Sequence, residues 1–67
     1  MKKVKLLVEV ESTQGIIHPV GTIGLEIEDG RMGPLRLIEV RVPDDTLAGG
    51  AWYDFLDLFQ KEFEYLD

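Results

Sequence analysis

The sequence predicts one small β-rich α+β domain, in which three or more antiparallel strands form a curled sheet or a small barrel. Three observations support this prediction. The chain has 67 residues, enough for a single core; apolar and polar residues alternate over much of residues 1–42; and residues 43–67 hold every aromatic residue. We expect the aromatic part, 43–67, to close the sheet, either as a helix or as short strands.

Three segments have the period of two that is expected of strands with one buried face. They run from residue 4 to 10, from 22 to 28 and from 35 to 42. Residues 29–34 are rich in turn formers and are predicted to join the second and third strands as a hairpin, whereas 12–21 is predicted to be a loop. The predicted buried faces consist of Val4, Leu6, Val8, Val10, Ile23, Leu25, Ile27, Ile38, Val40 and Val42.

Three leucines do not fit these buried faces. Leu7, Leu35 and Leu37 point away from them by strand parity. Either the sheet is covered on both sides, or its second face carries an exposed apolar patch.

The C-terminal segment is compatible with two structures. Its apolar residues recur at the spacing of an amphipathic helix that begins near Ala51, after two glycines. The run from Phe63 to Leu66 would instead serve as a short closing strand. We favour the helix, whose apolar stripe would cover the sheet; this stripe consists of Trp52, Phe55, Leu56, Phe59, Phe63 and Leu66.

The side of this segment that is not needed for the core is the predicted partner-binding surface. It combines tyrosines, whose rings are apolar at one end and polar at the other, with carboxylates. The predicted contact residues are Tyr53, Asp54, Asp57, Glu64 and Tyr65.

The run Gly21-Thr22-Ile23-Gly24-Leu25-Glu26-Ile27 resembles the G-x-x-G-x-x-[VIL] strand entry of small SH3-like barrels, including KOW-type modules. The similarity covers about residues 4–42, which also contain a long loop through His18-Pro19 and a turn-rich hairpin. The resemblance implies a barrel whose last strands come from the C-terminal part, and binding to nucleic acid or to peptides. Nucleic-acid-binding members would present basic loops, whereas the loops here offer only His18 and Arg31.

Charge indicates what kind of partner the protein has. Residues 1–42 carry six acids and six bases, whereas 43–67 carry seven acids and one lysine, which gives a net charge of −6. Nonspecific binding to nucleic acid or to an anionic membrane depends on lysine and arginine, so we expect neither. A protein with a basic surface is the expected partner.

The sequence predicts no enzyme, cofactor or metal site. His18 is the only histidine, there is no cysteine, and Asp44-Asp45 lacks the further oxygen ligands of a hard-metal loop. Ser12 and Thr13 have no base nearby in the sequence. The absence of cysteine and of a long apolar run leads us to expect a protein of the cytoplasm.

Three functions agree with these features. The first is an acidic interaction module that docks on a basic protein surface as an accessory subunit or inhibitor. The second is a nucleic-acid mimic that inhibits a DNA- or RNA-binding enzyme, which would need carboxylates spread over one continuous face. The third is a structural protein that self-associates through its exposed leucines or through a strand edge, since small size favours oligomerisation.

Overall fold

The computed structural model describes residues 1–66 and is almost entirely antiparallel β-structure. The strands are β1 (Lys2–Leu6), β2 (Val10–Glu11), β3 (Ile17–His18), β4 (Ile23–Ile27), β5 (Leu35–Pro43), β6 (Ala51–Phe59) and β7 (Phe63–Leu66). A single 3₁₀ turn, Gln60–Glu62, separates β6 from β7. The structure confirms the β-rich class. It also confirms the third predicted strand, now β5, and the hairpin that joins it to the second predicted strand, now β4.

Five strands form one sheet in the order β6-β5-β4-β1-β7, and β2 and β3 form a small hairpin in the loop before β4. A flat sheet of this size would separate its edge strands by about 19 Å, which is four spacings of about 4.8 Å. The chain joins β6 to β7, the two edges, through three residues that reach at most about 14 Å. The sheet must therefore be strongly curled, although its edge strands do not pair with each other and the barrel is not closed.

The inner face of this curled sheet holds the core. Side chains from both edge strands and from the strands between them meet there, because curling brings the edges together. The fully buried apolar residues are Val4, Leu6, Ile38, Val40, Leu56, Leu58 and Phe63, and Val10 of the loop hairpin packs against them.

The predicted helix near Ala51 is wrong, because Ala51–Phe59 is a nine-residue strand paired along its whole length with β5. The helical spacing of the aromatic residues is a coincidence of an alternating pattern that places Leu56 and Leu58 inward and Phe55 and Phe59 outward. The alternative prediction of a short closing strand, Phe63–Leu66, agrees with β7.

The predicted buried face of the second strand is also wrong. In β4 the inward residues are Gly24 and Glu26, whereas Ile23, Leu25 and Ile27 lie on the outer face. The inward position of Gly24 leaves no space for a side chain, since a Cβ there would lie 2.8 Å from the backbone oxygen of Glu39. Close packing of β4 against β5 therefore determines which residues of β4 face inward, although the hydrophobic pattern favours the opposite face.

The first predicted strand is shorter than expected. It ends at Leu6, so Val8 is 38% exposed in the loop that follows. The Leu7 amide donates to the Glu62 carbonyl at 2.8 Å, which ties the start of this loop to the 3₁₀ turn.

Candidate interaction surface

The edge strand β6 has a buried side and an exposed side, and both contain residues predicted to bind a partner. Strand parity places Asp54 inward, with Leu56 and Leu58, and places Tyr53 and Asp57 outward. The two sides have different chemistry.

On the inner side, the Asp54 carboxylate forms a buried hydrogen bond with the side chain of the only histidine, His18. Asp54 Oδ2 lies 2.7 Å from His18 Nε2, and the two side chains are 2% and 6% exposed. A carboxylate can only accept, so the ring nitrogen donates. The pair fastens the loop hairpin to the edge of the sheet across 36 positions of sequence.

The carboxyl group of Asp54 stays ionised in spite of its burial. Burial alone would raise its pKa, but hydrogen bonds from His18, from the Ser12 hydroxyl and from the Phe55 amide outweigh that effect and hold the pKa below its ordinary 3.8. Ser12 is itself buried and accepts from the amides of Gln14 and Ile16, which shapes the tip of the loop hairpin. These contacts make Asp54 a structural residue.

On the outer side, β6 presents three aromatic rings at alternate positions. We call them the aromatic strip: Tyr53, Phe55 and Phe59, which are 52%, 49% and 46% exposed. Large apolar side chains that protrude together without contributing to the core are typical of contact surfaces.

Neighbouring strands extend this apolar area. Across β5 the register places Glu39 beside Phe55, Arg41 beside Tyr53 and Leu35 beside Phe59. Beyond them lie the outward residues of β4. A depression of about 240 Å³ opens in this face, lined by Ile23, Gly24, Leu25, Glu39, Arg41 and Tyr53. The outer face of β4, β5 and β6 is therefore an apolar surface with a few charges, as the parity of Leu35 and Leu37 suggested.

Side chains block part of the edge of β6. The Phe55 amide donates to Asp54 Oδ1 at 3.1 Å, and the Phe59 amide donates to Glu62 Oε1 at 2.8 Å. Carboxylates thus occupy donors that an added strand would need, a device that protects sheet edges. The arrangement favours contact through the outer face over addition of a strand at these two positions.

Ion pairs involve residues of both edge strands, β6 and β7. Arg31, in the loop between β4 and β5, forms an ion pair with Asp57 on β6. Its Nη2 atom also lies 2.9 Å from Asp29 Oδ2. The hydrogen bond from Arg31 lowers the pKa of Asp29. On the far side of the outer face, Lys5 Nζ lies 3.2 Å from Glu64 Oε1.

The structure brings together only part of the predicted contact surface. Tyr53 and Asp57 lie on the outer face of β6, and Glu64 lies on the outer face of the opposite edge strand. Asp54 is buried, contrary to its predicted exposure, because strand parity turns it inward. Tyr65 lies on the inner side of β7, where its ring meets Phe63 edge-on at 5.4 Å and Lys2 Nζ at 5.1 Å.

Sequence reasoning missed Phe55 and Phe59, which it assigned to the core. The only signal in the sequence was that 53–59 is rich in aromatic residues, which favour strands, because its apolar and polar residues do not alternate as its burial does. The inward Asp54 and the outward Phe55 and Phe59 are the reverse of what the hydrophobic pattern favours.

No protein-family model matches the chain, and no curated protein or solved structure is detectably similar to it. Within residues 1–66, no three or more His, Asp or Glu side chains are placed to hold a metal ion. The same residues include no helix that is long and apolar enough to cross a membrane.

Proposed function

We propose that this protein is a small interaction module that docks on a basic protein surface, as an accessory subunit or inhibitor, through the outer face of β6. The observation that carries the proposal is the aromatic strip, three half-exposed rings on one strand that the core does not use. Exposed aromatic residues that become buried on association dominate many interfaces.

The charge of the chain supports a basic partner. A net charge of −6 attracts such a partner and raises the rate of encounter. Asp57 adds a carboxylate between Phe55 and Phe59, and it exchanges Arg31 for an arginine or lysine of the partner on docking.

The distribution of carboxylates does not favour a nucleic-acid mimic. Pairs of acids lie on separate loops, Glu28-Asp29 at one hairpin turn and Asp44-Asp45 at another. Others are paired or buried: Glu64 forms an ion pair with Lys5, and Asp54 is buried against His18. Among residues 1–66, the acids therefore do not form one continuous face.

The fold part of the proposal is an SH3-like arrangement. The strand order β6-β5-β4-β1-β7, the long loop before β4 and the 3₁₀ turn between the edge strands support it. A measurement of β6–β7 proximity by nuclear Overhauser contacts tests how far the curled sheet closes.

Site-specific crosslinking tests the docking surface. A photoreactive phenylalanine analogue at Phe55 probes the aromatic strip, and the same analogue at Val20, which is 64% exposed in the loop before β4, is the matched control. We expect position 55 to crosslink in the native host to a protein of basic isoelectric point, which mass spectrometry identifies, and we expect added salt to reduce the yield.

Two results would contradict the proposal. One is an equal pattern of crosslinked proteins from positions 55 and 20. The other is a captured partner whose binding is unchanged when Tyr53 and Phe55 are both replaced by serine.

A further inference from the structure

We infer that a second copy of this chain docks on the outer face of β4, β5 and β6 about a two-fold axis, with Phe55 of each copy against Tyr53 at the edge of the other copy's depression. The inference rests on the proposed function in one respect, because it uses the same docking face. It adds a specific partner and a specific geometry.

The outer face is built from two adjacent rows whose members complement each other. One row contains Leu25, Glu39 and Phe55, which are register partners across the three strands. The other contains Ile23, Arg41 and Tyr53, which line the depression together. Each strand therefore presents a matched pair: aliphatic on β4, oppositely charged on β5 and aromatic on β6.

The two-fold axis runs across the strands, midway between the two rows. It places each row of one copy on the other row of the partner. Arg41 then faces Glu39 of the second copy, Tyr53 faces Phe55 and Ile23 faces Leu25. Two-fold interfaces require this reciprocity, in which residue i contacts j and j contacts i. The charge pair lies in the middle with apolar contacts on both sides, so the face is complementary to itself.

The depression supplies the pocket for an anchoring side chain. Its volume of about 240 Å³ accommodates a phenyl ring, and its walls combine Ile23 and Leu25 with the ring of Tyr53. Phe55 is 49% exposed and is the one member of the two rows that does not line the depression. Rotation about the axis carries it onto Tyr53 of the partner, at the edge of the partner's depression.

The dimer is expected to be weak. Two rows on three strands form a small patch, below the roughly 1,200 Å² of total buried area that stable interfaces reach. The charge of −6 on each copy also opposes association at low salt. We therefore expect a monomer in dilute solution, a dimer at high concentration, and tighter association as salt screens the net repulsion.

A charge-swap experiment tests the geometry by sedimentation. Glu39→Arg gives a copy with two arginines in the middle of the face, and Arg41→Glu gives a copy with two glutamates. Each variant alone is expected to self-associate about tenfold or more weakly than the original chain, because like charges then face each other. An equimolar mixture of the two is expected to associate again, and so is the double variant.

Phe55→Ser and Phe59→Ser form a second, independent pair. Both rings are about half exposed on β6, but only Phe55 lies in the two rows. Phe55→Ser should abolish dimer formation and Phe59→Ser should leave it unchanged. Circular dichroism checks that each variant is folded. If a charge variant does not fold, the comparison of Phe55→Ser with Phe59→Ser tests the inference by itself.

Several outcomes overturn the inference. The original chain could remain a monomer at about millimolar concentration, the weak limit of specific association. The mixed charge variants could associate no better than either alone, or Phe55→Ser and Phe59→Ser could behave alike.

The failure of this inference differs from failure of the proposed function. A monomeric chain that still crosslinks a basic host protein from position 55 removes the dimer and leaves the proposed function. Conversely, the original chain could dimerise while the monomeric Arg41→Glu variant crosslinks no basic protein from position 55. That result removes the proposed function and leaves the dimer.

Discussion

The two sides of β6 differ in both exposure and chemistry. On the inner side, Asp54, Leu56 and Leu58 are each no more than 3% exposed, whereas the aromatic strip on the outer side is about half exposed. The inner side buries a carboxylate together with its hydrogen-bond partner and holds the fold together. The outer side displays rings that the fold does not need, so it is the side on which function can be sought without loss of stability.

The largest expected effect comes from removing the buried carboxylate. Asp54→Ala leaves the His18 ring and the Phe55 amide without their acceptor, and each buried donor left unsatisfied costs about 1–3 kcal/mol. A domain of this size is rarely more stable than that, so we expect the variant to be mostly unfolded. Urea titration followed by Trp52 fluorescence measures the loss.

The matched control lies on the other side of the same strand. Asp57→Ala removes an exposed ion pair with Arg31, which contributes little because water screens it. Equal destabilisation by the two replacements would mean that the sides of β6 do not differ as described.

Core packing gives the next largest effect. Leu58 is 2% exposed, and Leu58→Ala should lower the free energy of unfolding by about 2–5 kcal/mol through lost burial and the cavity it leaves. Its neighbour Phe59 is 46% exposed, so Phe59→Ala should cost much less in spite of removing a larger side chain. The reverse order in a chemical denaturation experiment would indicate a helix in this segment and not a strand.

A glycine on β4 tests the packing that determines the inner face. Gly24→Ala introduces a methyl group 2.8 Å from Glu39 O and 2.9 Å from Ile38 Cγ2, and such overpacking costs about 1–3 kcal/mol. Gly49→Ala is the control, since no atom lies within 4 Å of the added group. Thermal unfolding of both variants measures the difference. If Gly24→Ala is no more destabilising than Gly49→Ala, Ile23 and Leu25 face inward and the described face of β4 is wrong.

These comparisons also explain how far the sequence alone could lead. The face of β5 was predictable because Ile38 and Val40 alternate with Glu39 and Arg41, so pattern and packing agree. In β4 they disagree, because Gly24 faces inward where the hydrophobic pattern favours Ile23 and Leu25. A contact with Glu39, which is distant in sequence, decides the outcome, and a local pattern does not contain it.

The candidate surface was predictable only in part for the same reason. Tyr53 and Asp57 were predicted to lie outside the apolar stripe, and both are exposed. Asp54 could be assigned to the interior only with knowledge that His18 reaches it, and these residues are 36 positions apart. Phe55 and Phe59 were predicted to be buried because the segment was expected to be a helix. In a strand, whose side chains alternate with a period of two, both lie on the outer face.

The smallest expected effect is on the pH dependence of stability. The pKa of Asp54 is lower in the folded chain than its ordinary 3.8, so the folded state favours the ionised form. This stability is complete above the unfolded pKa and is lost as the pH falls below 3.8 through the folded pKa. Urea titrations between about pH 5 and pH 2 should therefore show falling stability. Asp54→Asn should flatten the decline, whereas Asp45→Asn, at an exposed turn position, should keep the original slope. If instead Asp54→Asn retains the full decline, other carboxylates cause the acid sensitivity, and the contrast between the two sides of β6 is one of packing without a contribution from charge.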